Sequence, residues 1–326
     1  MNETVLGVSN LSVQYRNKNE TIHAVADVSF ELHRGEVLAL VGESGAGKST
    51  VAMSLLRLLA TGGEVTSGKV FFGGKDLLAM EERELRGVRG RHIAMIFQDP
   101  VAGLNPVITV GDQVAEILTS HLPIGKKDAK RQALQILRDV GLADPERIAK
   151  SYPFQLSGGM CQRVMIGIAT ALDLDVIIAD EPTSALDVTV QAQILYQLDQ
   201  LRRQRGTAIL LITHAFGVVA QIADEVGVMY GGRMVETGPV DTMMKAPLHP
   251  YTHALLATLP RLHEIQEHLR AIPGQPPELT APAEHCPFIP RCSKVLNVCR
   301  TEPPPPLTAG ESHSHPVACY NPVWQG

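Results

Sequence analysis

The sequence predicts an α/β fold: a mainly parallel β-sheet covered by helices, followed by a proline-rich C-terminal extension. Three observations predict it. The apolar runs Glu36–Val41, Asp175–Ala179 and Ala208–Thr213 read as buried strands. The segments between them carry apolar residues at helical spacing, as a parallel sheet requires of its crossovers. Beyond about Pro260 the pattern gives way to dense proline and to four of the five cysteines, with little apolar content for a separate core.

Along the chain, Val5, Val8, Leu11, Val13 and Tyr15 alternate with polar residues, and Val25, Val28, Phe30 and Leu32 repeat the pattern, so the opening segment reads as strands. His33–Glu36 turns the chain into the first buried strand. Thr50–Leu59 is apolar-periodic and predicts a helix. Ile93–Phe97 is a further apolar run, and from about Val101 to Leu142 the pattern is helical, with Val110–His121 and Lys127–Val140 as the expected helices.

The 326 residues suffice for one large domain with an appendage or for two domains, and 44% hydrophobic with 19% charged residues is ordinary for a globular core. Net charge is −5 and interleaved, which argues against a nucleic-acid binder, and Arg83, Arg86, Arg89 and Arg91 read as a solvated face. No apolar run approaches the roughly 18 residues that cross a bilayer. Met1–Val5 lacks the basic and apolar regions of a signal peptide. A cytosolic chain is expected, reaching membranes only through a partner.

Chemistry centres on residues 42–49, Gly-Glu-Ser-Gly-Ala-Gly-Lys-Ser, a complete G-x-x-x-x-G-K-S/T phosphate loop between a strand and a helix. Its glycines let successive N–H groups converge on phosphate oxygens at the positive end of the helix. Lys48 then reaches the β- and γ-phosphates and the Ser49 hydroxyl ligates Mg²⁺. Gly42, Ser44, Gly45, Gly47, Lys48, Ser49 and Thr50 form the expected nucleotide-binding set. Chance produces the pattern in about one chain in a hundred of this length.

A phosphate loop alone does not choose among nucleotide hydrolases. Leu156–Arg163 reads Leu-Ser-Gly-Gly-Met-Cys-Gln-Arg and opens a helix with glycine N–H groups exposed to an anion. Val176–Glu181 is an apolar strand ending in two carboxylates. Asp180 is placed to hold Mg²⁺, directly or through water, and Glu181 to polarise the attacking water. Ser184–Asp187 follows, and His214 comes after another buried strand.

In this order and spacing the set resembles an ATP-binding-cassette (ABC) ATPase over roughly residues 1–255. The resemblance implies an antiparallel β subdomain and a helical subdomain at about residues 100–172. It implies that Tyr15 stacks on adenine, that Gln98 touches Mg²⁺ and the lytic water, and that the loop through Asp99 and Pro100 faces a membrane subunit. Ser157, Gly158 and Gly159 would clamp the γ-phosphate of ATP held by an opposing subunit, His214 would contact the γ-phosphate in cis, and Asp187 would support the dimer contact. Two positions depart from the family's pattern. Ala215 stands where an aspartate is usual, which weakens hydrogen bonding around the histidine. Cys161 stands where arginine or another polar residue is common, so a tuned interface is expected.

Cys286, Cys292, Cys299 and Cys319 are spaced C-x5-C-x6-C-x19-C. A reducing cytosol disfavours disulfides, and the usual C-x2-4-C zinc knuckle is missing. Spacing alone favours a metal site without choosing the metal. His249–Thr252 (His-Pro-Tyr-Thr), Ala254–Leu256, Gly274–Pro277 (Gly-Gln-Pro-Pro), Cys286–Cys292 and His315–Cys319 together resemble the C-terminal extension of dipeptide and oligopeptide importer ATPases. That resemblance implies a 4Fe–4S cluster on the four cysteines, with zinc as the alternative, in an extension covering 256–326.

The expected protein is therefore an ATP-hydrolysing, energy-coupling subunit of an ABC importer for dipeptides or oligopeptides. It would work at the cytoplasmic face of the cell membrane with a second ATPase subunit in a heterodimer, two transmembrane permeases and an extracytoplasmic binding protein. A nickel, metal-chelate or other small-solute importer of the same family is the alternative. A soluble ABC ATPase of translation or DNA repair fits less well, because the chain has one cassette and no sustained heptads.

Overall fold

The computed structural model describes residues 3–18, 20–184, 186–259, 271–281, 284–305, 307 and 315–323. Pro260, Pro282 and Pro306, which contribute to the proline-rich reading, lie outside them. Among the described residues ten strands occur: β1 (Thr4–Arg16), β2 (Thr21–His33), β3 (Val37–Val41), β4 (Gly63–Phe72), β5 (Lys75–Asp76), β6 (Ile93–Ile96), β7 (Val176–Asp180), β8 (Ala208–Ile212), β9 (Glu225–Tyr230) and β10 (Arg233–Pro239). The chain divides into two compact units.

The first unit comprises Met1–Val5, His33–Glu36 and Met80–Leu211. Its strands run in the order β8-β7-β6, with β6 and β7 parallel in the register Ile93↔Val176 to Ile96↔Ala179. Every residue of these strands is buried, which is why their sequences are apolar on both faces. Helices form at Val110–His121, as expected, and at Lys126–Asp139, one residue from expectation. Thr109 caps the first by accepting the Asp112 N–H. Ser157 caps Gly158–Ala169 and Asp187 caps Val188–Arg205, which stops at Gly206 in the left-handed region. Arg83 and Arg86 are exposed, while Arg89 and Arg91 are half-buried.

The second unit comprises Leu6–Leu32, Val37–Ala79 and Ile212–Gly326. A four-stranded sheet runs β2-β1-β4-β5, with β4 antiparallel to both neighbours. Beside it lies the order β10-β9-β3, where β3 and β9 are parallel and β10 is antiparallel. The helix after the phosphate loop spans Lys48–Leu55 and stops short of the predicted Leu59. Arg57 takes φ 53, its N–H reaches Ser54 O (3.0 Å), and the Leu58 N–H reaches Met53 O (2.8 Å). This pair of bonds closes the helix with arginine in the place glycine usually takes. Sequence reading assigned no strand to 63–72 or 225–239. β4 is polar and carries two glycines, so its extended form depends on pairing with β1.

The C-terminal extension is held by a buried carboxylate. Glu236, on β10, accepts the Leu248 N–H (2.6 Å) and the His249 N–H (3.0 Å), and pairs with His315 Nε2 at 2.6 Å. The segment after His315 then lies along β10, through Thr237 N–H to Pro316 O (3.1 Å) and Ala318 N–H to Val235 O (2.9 Å). Both members of the pair are almost fully enclosed, so removing either one costs the other a buried, charge-assisted hydrogen bond.

Candidate functional site

The phosphate loop belongs to the second unit and is shaped by two close approaches. At Gly42 (φ 154) a Cβ would lie 2.3 Å from Met229 O, and at Gly47 (φ 99) it would lie 2.4 Å from Ala24 O. Only glycine fits either place. Gly47 precedes the helix Lys48–Leu55, so the loop's N–H groups sit at a helix N-terminus. Lys48 is buried, and its Nζ donates to Gly42 O (2.8 Å) and Glu43 O (3.0 Å). The ammonium is thereby held over the loop, where phosphate oxygens would compete for the same donors. Ser44 and Gly45 are exposed at the tip, while Ser49 and Thr50 are half-buried.

Two further expected residues lie in this unit. Tyr15, near the end of β1, packs its ring against Gly63, where an added Cβ would come within 2.7 Å of Tyr15 Cε1. His214 is exposed, just beyond β8. Ala215 begins the helix Phe216–Ile222 and offers no side chain to cap it. Thr213 Oγ1 accepts the Ala215 N–H instead, at 3.1 Å.

The first unit holds the remaining candidates. Asp180 and Glu181 close β7 and are both buried. Glu181 has φ 48, a left-handed backbone that costs a non-glycine residue roughly 1–2 kcal/mol. Its conformation bends the chain sharply after the strand, and the Ser184 N–H returns to Glu181 O at 3.3 Å. Ser157, Gly158 and Asp187 are exposed and Gly159 is half-buried. Ser157 Oγ accepts the Met160 N–H (3.3 Å) and Asp187 Oδ1 accepts the Val190 N–H (3.0 Å), so both also serve as helix caps. Gln98 is exposed beyond β6, and its loop is shaped by Asp99 Oδ1 accepting the N–H groups of Val101 and Ala102.

Sequence reasoning missed a residue that joins the glycine turn to the paired carboxylates. Buried Gln162 donates to Pro182 O at 2.9 Å, and Gly159 approaches Leu186 closely enough that a Cβ would meet Cδ2 at 3.3 Å. Cys161 faces the interior of its own unit. It is fully buried, its Sγ donates to Pro153 O at 3.4 Å, and burial raises its pKa. The departure at this position is one of packing.

Cys286, Cys292, Cys299 and Cys319 line one small cavity of the second unit, together with His249 and Phe288. Cys292 Sγ accepts the Lys294 N–H and Cys319 Sγ accepts the Asn321 N–H, each at 3.3 Å. Burial pushes the Cys286 and Cys292 thiols up, and the Cys319 thiol up to about 12. Among the described residues no three cysteine, histidine or acidic side chains are arranged to hold a metal ion. The four cysteines expected as metal ligands thus share one cavity, and the described residues show no coordination sphere among them.

His249 caps the helix Pro250–Ala257 by accepting the Tyr251 N–H on Nδ1 (3.1 Å), which requires an unprotonated nitrogen. Burial lowers its pKa from 6.5 to about 4, against an opposing pull from Glu236. The folded state thus binds fewer protons than the unfolded state between pH 6.5 and 4. Stability from this group is complete above pH 6.5 and is lost as pH falls through that window, by on the order of 3 kcal/mol. Denaturant midpoints at pH 7.5 and 5 should differ in that direction, and His249→Asn, which keeps a capping acceptor, should flatten the difference.

Residues 25–184 match the ABC transporter family, and residues 235–299 match the C-terminal region of oligopeptide/dipeptide transporters. The chain is 46% identical over 319 residues to the dipeptide transport ATP-binding protein DppD of Bacillus subtilis, across 98% of this chain and 95% of that protein. It is 43% identical to the oligopeptide transport ATP-binding protein OppD of Salmonella typhimurium, across 98% and 94%. A solved dimeric post-hydrolysis state of the ATP-binding cassette MJ0796, bound to ADP and Pi, is similar with a TM-score of 0.66 at 27% identity, across 72% of this chain and 98% of that one. CbiO1 from Clostridium perfringens, part of an ABC transporter complex, gives a TM-score of 0.59 at 26% identity, across 73% and 90%. Among the described residues no helix is long and apolar enough to cross a membrane. With its phosphate loop, paired carboxylates and C-terminal region in place, the chain belongs to the ATP-hydrolysing subunits of the oligopeptide/dipeptide ABC transporters.

Proposed function

We propose that the chain powers import of dipeptides or oligopeptides, binding ATP on Gly42–Thr50 and hydrolysing it with Glu181. The observation that carries this reading is the presence, within one compact unit, of the phosphate loop and the region matched by peptide transporters. Tyr15 stacks on adenine, and Lys48 exchanges its carbonyl partners for β- and γ-phosphate oxygens. Ser49, Gln98 and Asp180 offer the oxygen donors that Mg²⁺ takes, and that ion, bound with ATP, offsets phosphate charge. Glu181 accepts a proton from the attacking water as the water oxygen bonds the γ-phosphorus and the bond to ADP breaks. His214 steadies the γ-phosphate by a hydrogen bond.

Ser157 and Gly158 are exposed, Gly159 is half-buried, and Asp187 stands exposed in the same unit. In this reading they close over ATP held by a second, similar ATPase subunit, forming a heterodimer. The Gln98 loop passes the closure to two permeases that receive cargo from an extracytoplasmic binding protein, and the chain works at the cytoplasmic membrane face. The complex, assembled in vesicles with its permeases and binding protein, should show ATPase activity stimulated by peptides. Stimulation by metal chelates or sugars and none by peptides would overturn the cargo assignment.

Cys286, Cys292, Cys299 and Cys319 are the residues that would hold a 4Fe–4S cluster, or zinc as the alternative. Their common cavity, their all-thiol chemistry and the two N–H···S bonds support a thiolate-bound centre. Such a group would supply cross-links among loops that otherwise share little core. Anaerobically purified protein should carry iron and acid-labile sulfide with broad visible absorbance, and a colourless protein with zinc alone would rule out the cluster.

A further inference from the structure

The C-terminal extension reaches back to the phosphate loop through one arginine. Arg291 Nη1 and Nη2 donate to the two carboxylate oxygens of Glu43, the second residue of the loop, at 2.6 and 2.9 Å. The remaining guanidinium hydrogens are also used. Nε donates to Pro273 O (2.9 Å), Nη1 to Tyr230 Oη (3.2 Å) and Nη2 to Ile272 O (3.3 Å). The Arg291 side chain is 3% exposed and that of Glu43 24%, so the pair is largely shielded from solvent.

Glu43 is held at a second point, where its backbone N–H donates to Tyr251 Oη at 2.8 Å. Tyr251 is fully buried, and burial raises its pKa so that the phenol stays neutral. Its ring packs against Tyr230 (4.4 Å between centroids) and Phe288 (5.4 Å), and Phe288 lies on the turn that carries Arg291. The carbonyl of this same Glu43 accepts from Lys48 Nζ. The residue that helps to hold Lys48 is thus itself fixed at its N–H and at its carboxylate by residues from the C-terminal third of the chain.

We propose that Arg291 and Tyr251 are positioning residues for the phosphate loop, clamping Glu43 so that nucleotide affinity depends on an intact C-terminal extension. The proposal rests on the reading of Gly42–Ser49 as the ATP site. A bidentate charged pair fixes both the position and the plane of the carboxylate, and a loop ordered before binding loses less entropy when phosphate arrives.

The test uses the full-length chain for equilibrium binding of a fluorescent ATP analogue, and the assembled complex for turnover. Arg291→Ala and Glu43→Gln should each weaken binding and raise KM for ATP by about tenfold, with kcat within about twofold. The double variant should be no worse than either single one, because both remove the same contact. Arg291→Lys should recover only part of the loss. A folded Arg291→Ala protein that binds nucleotide like the parent, while Lys48→Ala does not, overturns the clamp and leaves the ATP site standing. Undiminished binding by Lys48→Ala overturns the site itself. If Arg291→Ala does not fold, Glu43→Gln decides alone, and unchanged KM in that variant refutes the proposal.

Discussion

Glu181→Gln is expected to leave ATP binding intact and to lower steady-state hydrolysis in the assembled complex by about a hundredfold or more. The amide keeps the size and most of the hydrogen bonding of the carboxylate but cannot take a proton from water. Glu181 is suited to a base because it is buried at the end of β7, on a backbone that turns abruptly away from the strand. A left-handed non-glycine backbone of this kind persists only where the surrounding structure holds it, and here it directly follows a fully buried strand. The measurement is phosphate release alongside binding of labelled ATP. Robust turnover by a correctly assembled Glu181→Gln complex would remove Glu181 as the base.

Lys48→Ala should act at the preceding step and abolish most nucleotide binding, with affinity down about a hundredfold. The loss has two sources. One is the charged donor that phosphate oxygens would meet. The other is the brace Lys48 supplies to its own loop through Gly42 O and Glu43 O. Equilibrium binding of labelled ATP separates this variant from Glu181→Gln, which should retain it. Equal binding by both variants would contradict the division of roles.

Much of the nucleotide chemistry is legible in the sequence because it is local. Gly42 to Ser49 must be contiguous for N–H groups to line one curve, and glycine is required where the backbone meets Met229 O and Ala24 O. Asp180 and Glu181 likewise follow a short apolar run that reads as a buried strand. The helix Val110–His121 was readable from its apolar period, and only the structure added its Thr109 cap. The end of the helix after the phosphate loop was not, because Arg57 carries out the left-handed turn that glycine would have signalled.

What the sequence by itself determined is the class of fold, the nucleotide loop, the paired carboxylates and the four-cysteine spacing, all properties of short segments with a fixed period or order. Only the tertiary structure decided which distant residues serve them. Arg291 and Glu43 are 248 positions apart, Glu236 and His315 are 79 apart, and Gln162 reaches Pro182 across a turn and a strand. No local pattern marks such pairs, since an arginine or glutamate has the same intrinsic preferences whether exposed or buried. Burial supplies the difference: away from water a charged group must find its partner, and only the folded chain specifies which partner lies within reach.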